Sequence, residues 1–494
     1  ITAGGMTLIE ATNGGMLDLD GTGETGRIVV TQSPQYNNDD GELTIAGTLS
    51  DDFDGELTLI NGDISSNASI TFTSPWTAGS NSVINFQTTT SASSGPGAVL
   101  GFGDIHGAAF TSHGTINLTG TNRIFTEATL DEGAVVNTET FGNIDFRHST
   151  TLGDVTFTGS GGAIFRDSLT VRGGTTLIEA NSSLRDTPSI LIESDGVLQQ
   201  EGNLTFETMG TIQVEPGGTL DLRGATHIES GLSTIDGLMR LRGPTTLDGG
   251  FLGEGTMTFG NNTNVLNGST IQVDTVTFHN FAQNNVEIAV FGSTINAKNL
   301  RVRDSNVQSA STTVRVTGAS TVNVFDPTTE LGTLSVGVTN HGEGTSNNSH
   351  VIVDGRSTTE RPTIDVEGKI ILGASGYGEQ GHGSLEVLNG ALVTAGSDIQ
   401  IGGRGYHIPG YGSEGFVTVG GIGNVSGLSA RLSTLGDIIL GFDGLSGDAA
   451  LTINEGGQVV ANGLTMWPAA EVFHNGGSID VQHCQISDAA TYNA

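Results

Sequence analysis

The residues best suited to chemistry are two short runs of acids near the N-terminus. Asp39, Asp40 and Glu42 form one run, and Asp51, Asp52, Asp54 and Glu56 form the other. Carboxylates gathered in this way hold Ca²⁺ when enough of their oxygens converge on one point. Both runs sit in a repeated phrase, Asp40-Gly41-Glu42-Leu43-Thr44-Ile45 and Asp54-Gly55-Glu56-Leu57-Thr58-Leu59, offset by 14 residues. Asp40, Glu42, Asp54 and Glu56 are therefore candidates for a ladder of calcium ligands at the turns of adjacent repeats. The spacing matches neither the EF-hand loop nor the glycine-rich nonapeptide of calcium rolls. The competing reading is ordinary turn chemistry, in which Asp side chains accept hydrogen bonds from their own backbone. Both readings stay open at this level.

Other reactive residues are sparse or scattered. The 11 histidines are dispersed, and His474, His483 and the single cysteine, Cys484, come closest to a metal set. They lack the paired spacing of a zinc site. One cysteine also excludes an intrachain disulfide. No G-x-S-x-G elbow frames any serine. The densest basic spot is Leu300-Arg301-Val302-Arg303-Asp304; on a strand, Arg301 and Arg303 share one face and are expected to pair with Asp304 or a neighbouring carboxylate. Sequons at Asn117, Asn181, Asn203 and elsewhere are common in so Asn- and Thr-rich a chain. No catalytic residue and no cofactor is expected, apart from the open question of structural Ca²⁺.

The elements that must position these residues are strands. Gly supplies 76 of 494 residues against 10 Pro, and charged residues are only 14% of the chain, too few for long solvated helices. Thr, Ser, Asn and Val fill the remainder and suit pleated strands and tight turns. Basic residues number 18 and acidic residues 53, for a net charge of −35. A nucleic-acid partner is excluded by that balance, because phosphates must be neutralised by Lys and Arg. No stretch approaches the ~20 apolar residues of a membrane-spanning helix. The chain starts at Ile1 without Met, which reads as a mature product whose targeting segment has been removed.

Internal repeats dominate. Gly4-Gly5-Met6-Thr7-Leu8-Ile9-Glu10-Ala11 is echoed by Gly173-Gly174-Thr175-Thr176-Leu177-Ile178-Glu179-Ala180. Gly14-Gly15-Met16-Leu17-Asp18-Leu19 recurs as Gly217-Gly218-Thr219-Leu220-Asp221-Leu222. Each unit is a Gly or Asx turn followed by four to six residues with apolar side chains at alternate positions, the period that puts every second side chain on one face of a strand. Beyond residue 331 the repeats lengthen. Leu334-Ser335-Val336-Gly337, Ile370-Ile371-Leu372-Gly373, Ile399-Gln400-Ile401-Gly402 and Ile438-Ile439-Leu440-Gly441 have one design, with their glycines 36, 29 and 39 residues apart. A second strand follows, such as Gly383–Gly390 or Ala449–Gly456, then a third, Ala391–Ala395 or Gln458–Ala461. Three short strands per unit predict one triangular coil.

The phrase LGASGYGEQGHGSLEVLNGALVTAG at 372–396 resembles the autotransporter and PEP-CTERM-associated repeats of secreted bacterial proteins. GGTLDLRG at 217–224 and GPTTLDGGFLGEGT at 243–256 are similar to autotransporter-passenger and filamentous-haemagglutinin-like coils. The resemblance implies a right-handed parallel β-helix outside the cell. The expected fold is thus all-β, an elongated β-solenoid: irregular coils over 1–330, longer regular repeats over 331–480 with loops protruding at 342–349 and 403–415, and a tail at 481–494. Stacking of coils then supplies the core that no coil has alone.

The function expected is structural or adhesive: a shaft, filament subunit or surface-layer component at the cell surface, not an enzyme. Expected partners are a second copy of the chain, joined head to tail, and surface glycans or a host surface. Two alternatives are a β-helical polysaccharide lyase or hydrolase, signalled by carboxylates converging in one lateral groove, and a calcium-dependent surface protein.

Overall fold

The protein, seen in a computed structural model, is described at residues 2–4, 6–10, 16–17, 27–31, 41–46, 48–49, 55–61, 68–88, 103–138, 142–186, 189–206, 210–260, 264–280, 285–303, 311–326, 332–338, 347–356, 360–373, 381–402, 413–423, 427–441 and 448–494. Strands and turns make up these residues, with no helix among them. Among the described residues the strands pair in parallel with their counterparts one coil away, and two isolated bridges, Ile422 with Ser429 and Asn454 with Gly476, are antiparallel. The chain is an all-β parallel β-helix. It divides into two compact units, Ile1–Gly231 and Leu232–Ala494.

In the first unit three strand stacks alternate along the chain. One stack runs through Gly103–Gly107, Thr121–Ile124, Asn143–Phe146, Gly162–Phe165 and Asn181–Leu184. The second contains Phe110–Ser112, Ala128–Leu130, Thr150–Leu152 and Ser168–Val171, and the third Thr115–Leu118, Val135–Thr138 and Thr156–Gly159. Period-two alternation explains the inside and the outside. In Thr121–Ile124, Asn122 and Ile124 are buried while Thr121 and Arg123 face outward. Stacked coils then make continuous apolar columns, of which Ile105, Ile124, Phe146, Phe165 and Leu184 form one. The Phe146 and Phe165 rings are parallel at 5.2 Å, and Trp76 lies between Phe72 at 4.0 Å and Phe110 at 4.6 Å. Burying each such ring contributes roughly 2–3 kcal/mol before entropy is counted. Where a corner turns inward a polar side chain closes it: buried Asn122 donates to the Gly120 carbonyl at 3.2 Å.

The second unit repeats this plan, at first with coils as short as Met239 to Met257 and then, after Thr294, with longer ones. Leu334 pairs with Ile370, Ile370 with Ile399 and Ile399 with Ile438, so the long spacings of the sequence are single coils. Some strands run through a corner and serve two stacks. Thr294–Arg303 pairs by its first half with Thr321–Val324 and by its second with Thr333–Val336. Buried serines line another corner: the Ser269 N–H donates to Ser293 Oγ at 3.2 Å, and the Ser293 N–H to Ser320 Oγ at 3.3 Å. After Thr333–Val336 the corners pass to glycine. Gly373 has φ 63°, and a Cβ there would lie 1.8 Å from the Glu414 carbonyl oxygen, so neither backbone nor space admits a side chain. Ser478–Ile486 and Thr491–Asn493 continue the stacks as strands.

Candidate functional site

Of the proposed calcium ligands, Asp40 and Asp54 lie outside the described residues. Glu42 sits on Gly41–Ala46, which pairs with Ala68–Phe72, and Glu56 on Glu56–Asn61, which pairs with Val83–Thr88. These are different stacks, so strand pairing does not bring the two acids together. Glu56 instead begins an outer ladder. Its carboxylate accepts from Thr58 Oγ1 at 2.9 Å and Asn85 Nδ2 at 3.2 Å; Asn117 then donates to Asn85 at 2.9 Å, Asn137 to Asn117 at 2.7 Å and Thr158 to Asn137 at 2.8 Å. The sequon residue Asn117 is thus tied on both sides. Asn181 and Asn203 cap backbone N–H groups one coil on, at 2.9 Å each.

A second ladder on the first unit carries charge. Asp104 accepts both Nε and NH2 of Arg123, at 2.8 and 2.5 Å. Asp145, whose side chain is 4% exposed, accepts from Arg166 at 2.8 Å and from Arg147 at 2.9 Å. Its hydrogen bond and charge hold the Arg166 guanidinium above its ordinary range, against the cost of burial. Phe125 stacks on His106 at 4.5 Å, with the guanidinium carbons of Arg123 and Arg147 at 5.0 and 5.4 Å from its ring centre. These charges satisfy each other, and nothing in the arrangement requires a ligand.

The other sequence candidates also resolve into local contacts. His474 contacts Tyr492 OH at 3.2 Å and the Gly477 carbonyl at 2.8 Å, His483 lies 3.5 Å from Asp437, and Cys484 is exposed. Among the described residues no group of three His, Cys, Asp or Glu side chains is placed to hold a metal ion. Arg303 pairs in register with His279, and Asp304 lies outside the described residues. Burial pushes His279 down to about 4, with Arg303 and Arg242 adding to the effect and a hydrogen bond to the Arg303 backbone opposing it.

One pair on the second unit has the elements of nucleophilic chemistry. His350 Nδ1 lies 2.5 Å from Ser384 Oγ on adjacent strands, and burial lowers the His350 pKa although Glu386 opposes it. A neutral imidazole against a hydroxyl is a base–nucleophile contact. Acyl transfer also needs backbone N–H donors aimed at an oxyanion. Here the backbones of Asn347–Asp354, Gly381–Leu388 and Glu414–Gly420 are committed to parallel pairing. Among the described residues these strands supply the pair with the contact but not with those donors.

The feature that stands apart is a lateral groove on the second unit. Its floor is the outward face of one strand stack, where Gln272, Asn296, Asn323, Asp365, Thr394 and Ser433 lie side by side in register on six successive coils. Its wall is the corner that follows each strand, bearing Lys298, Phe325, Glu367 and Leu435. One section, of about 690 Å³, extends from Gly253 and Glu254 to Asp365 and Glu367. A second, of about 500 Å³, shares Asp365 and Glu367 and continues to Val460. The wall opens at Gly396, where a Cβ would strike the Glu367 carbonyl oxygen at 2.1 Å. Asn323 donates to Asn296 Oδ1 at 2.8 Å, and Thr394 Oγ1 bonds to Asp365. Lys298 pairs with Asp274 at 2.7 Å; that hydrogen bond holds its ammonium above the ordinary range, with Glu254 and Asp326 acting in the same direction and desolvation against them.

No family model matches the chain, and no curated protein matches its sequence. The groove's chemistry therefore rests on its own residues. Amides, hydroxyls and carboxylates facing an open channel of this size can orient a polar ligand, and a pair of carboxylates can also move protons. Reading the chain alone did not find this site. Its residues were visible as outward positions of alternating strands, but no fixed spacing connects them.

Proposed function

We propose that the protein is an extracellular structural or adhesive β-solenoid, a scaffold that holds outward side chains in fixed rows. The observation that carries this reading is the parallel stacking within each unit, where the described strands of one coil are hydrogen-bonded to those of the next. Such a stack resists separation along its length and needs no disulfide. The acidic composition and the resemblance of residues 372–396 to repeats of secreted bacterial proteins point the same way. The test is location: fractionation and immunogold labelling of the native protein should find it outside the cell, and a cytoplasmic pool would overturn the reading. Association with further copies, expected from the repeats, is checked by negative-stain microscopy across concentrations; single particles throughout would remove it.

A polysaccharide-active enzyme is the second reading, favoured by one observation. Glu254, Asp274, Asp365 and Glu367 line the same groove, and glycoside cleavage uses carboxylates in pairs. Release of reducing ends or unsaturated products, lost in Asp365→Asn, would put this reading first.

A further inference from the structure

We propose that the groove of the second unit binds a linear, uncharged glycan laid across its six coils, an inference that rests on the adhesive reading and names its ligand class. The floor points to this first. From Gln272 to Ser433 every position is an amide, a carboxylate or a hydroxyl. Five strand spacings make the floor about 24 Å long. A ligand lying across it meets one polar group per coil, the pattern that a chain of similar hydroxylated units can satisfy repeatedly.

Hydrogen-bonding capacity is the second point. The bond from Asn323 to Asn296 uses one donor of one residue and the oxygen of the other. Each amide offers two donors and two lone pairs, so both retain groups for a ligand. Thr394 occupies only part of the Asp365 carboxylate.

The wall adds an apolar surface. Phe325 is 40% exposed beside the floor and Leu435 is 82% exposed farther along. A sugar ring carries C–H groups on its faces and hydroxyls around its edge, and this wall and floor match the two.

Charge then narrows the class. The groove holds Glu254, Asp274, Asp365 and Glu367 against Lys298 and Arg431, and Lys298 is already paired with Asp274. Sulfated or uronate chains and phosphates are repelled. An extended peptide is a poorer fit, because its backbone groups need main-chain partners. Those of the floor strands are spent on neighbouring coils.

The experiment titrates the full chain, by calorimetry and by NMR, with cellohexaose, xylohexaose and chitohexaose, their disaccharides, a galacturonate hexamer and hexalysine. At least one neutral hexamer should bind, about ten-fold more tightly than its disaccharide, and the galacturonate should not. Phe325→Ala, and Asn296→Ala with Asn323→Ala, should each weaken that binding about ten-fold while a cooperative thermal melt is retained. Three results would overturn the inference: no neutral hexamer binds, binding survives these substitutions, or hexalysine alone binds. An extracellular protein that ignores the neutral series loses this inference and keeps the adhesive reading. A cytoplasmic protein that binds them through the groove does the reverse.

Discussion

The two units are built on one plan and differ in what they do with their outer faces. In the first, the coils from Gly103 onward are short, Ile105 pairing with Ile124 and Phe146 with Phe165, each 19 residues on, while earlier ones are longer, Ile70 pairing with Ile105. Outward side chains there bind each other: asparagine to asparagine from Asn85 to Asn137, and arginine to aspartate around Asp104 and Asp145. In the second, coils lengthen after Thr294, to 42 residues between Val322 and Ile364 and 39 between Ile399 and Ile438, and one face leaves its polar row opposite an open channel. An outer ladder can therefore lie closed on itself, as around Asn117 and Asp145, or be bonded in pairs and still face an open groove, as with Asn296–Asn323 and Asp365–Thr394.

The comparison can be broken most sharply in the core. Phe146→Ala removes a fully buried ring from the first unit's column and should cost about 3–5 kcal/mol. Calorimetry should show a lower transition for that unit; an unchanged melt would mean the column is not what holds its coils together.

A smaller effect separates the two ladders. Asp145→Ala leaves Arg147 and Arg166 without their shared, buried partner and should cost about 3 kcal/mol. Asp365→Ala, on the exposed groove floor, should change stability by less than about 0.5 kcal/mol. Urea titration of both variants tests the contrast, and equal losses would erase it.

The third effect is pH-dependent and belongs to the second unit. His279 titrates at about 4 when folded against 6.5 in the open chain. The unfolded chain takes up the proton first, so the contribution is complete above pH 6.5 and is lost as pH falls from 6.5 towards 4. It amounts to at most about 3 kcal/mol. His279→Gln should flatten the denaturation midpoint over that window; an unaltered pH profile would refute the assignment.

Much of the scaffold was legible beforehand. Alternation in phrases such as Thr219-Leu220-Asp221-Leu222 and the glycine after each short aliphatic phrase such as Leu334-Ser335-Val336 or Ile399-Gln400-Ile401 are local requirements of strand and corner, and Gly337, Gly373, Gly402 and Gly441 all have positive φ. The groove was not legible. Gln272, Asn296, Asn323, Asp365, Thr394 and Ser433 are separated by unequal stretches, because each coil's loops differ in length. The pairing of His350 with Ser384 was hidden for the same reason. Glu42 and Glu56 illustrate the converse: a repeated phrase suggested that they stack, and their strands pair in different stacks.

Sequence by itself determined the class of fold, the strand grammar and the acidic character of this protein, since period-two burial, turn glycines and net charge are properties of short segments and sums. Only the tertiary structure decided which side chains became neighbours. In a solenoid, contact is made one coil away, and loops of variable length set which outward positions share a row. The closed ladders of one unit and the open groove of the other depend on that register, which no local pattern encodes.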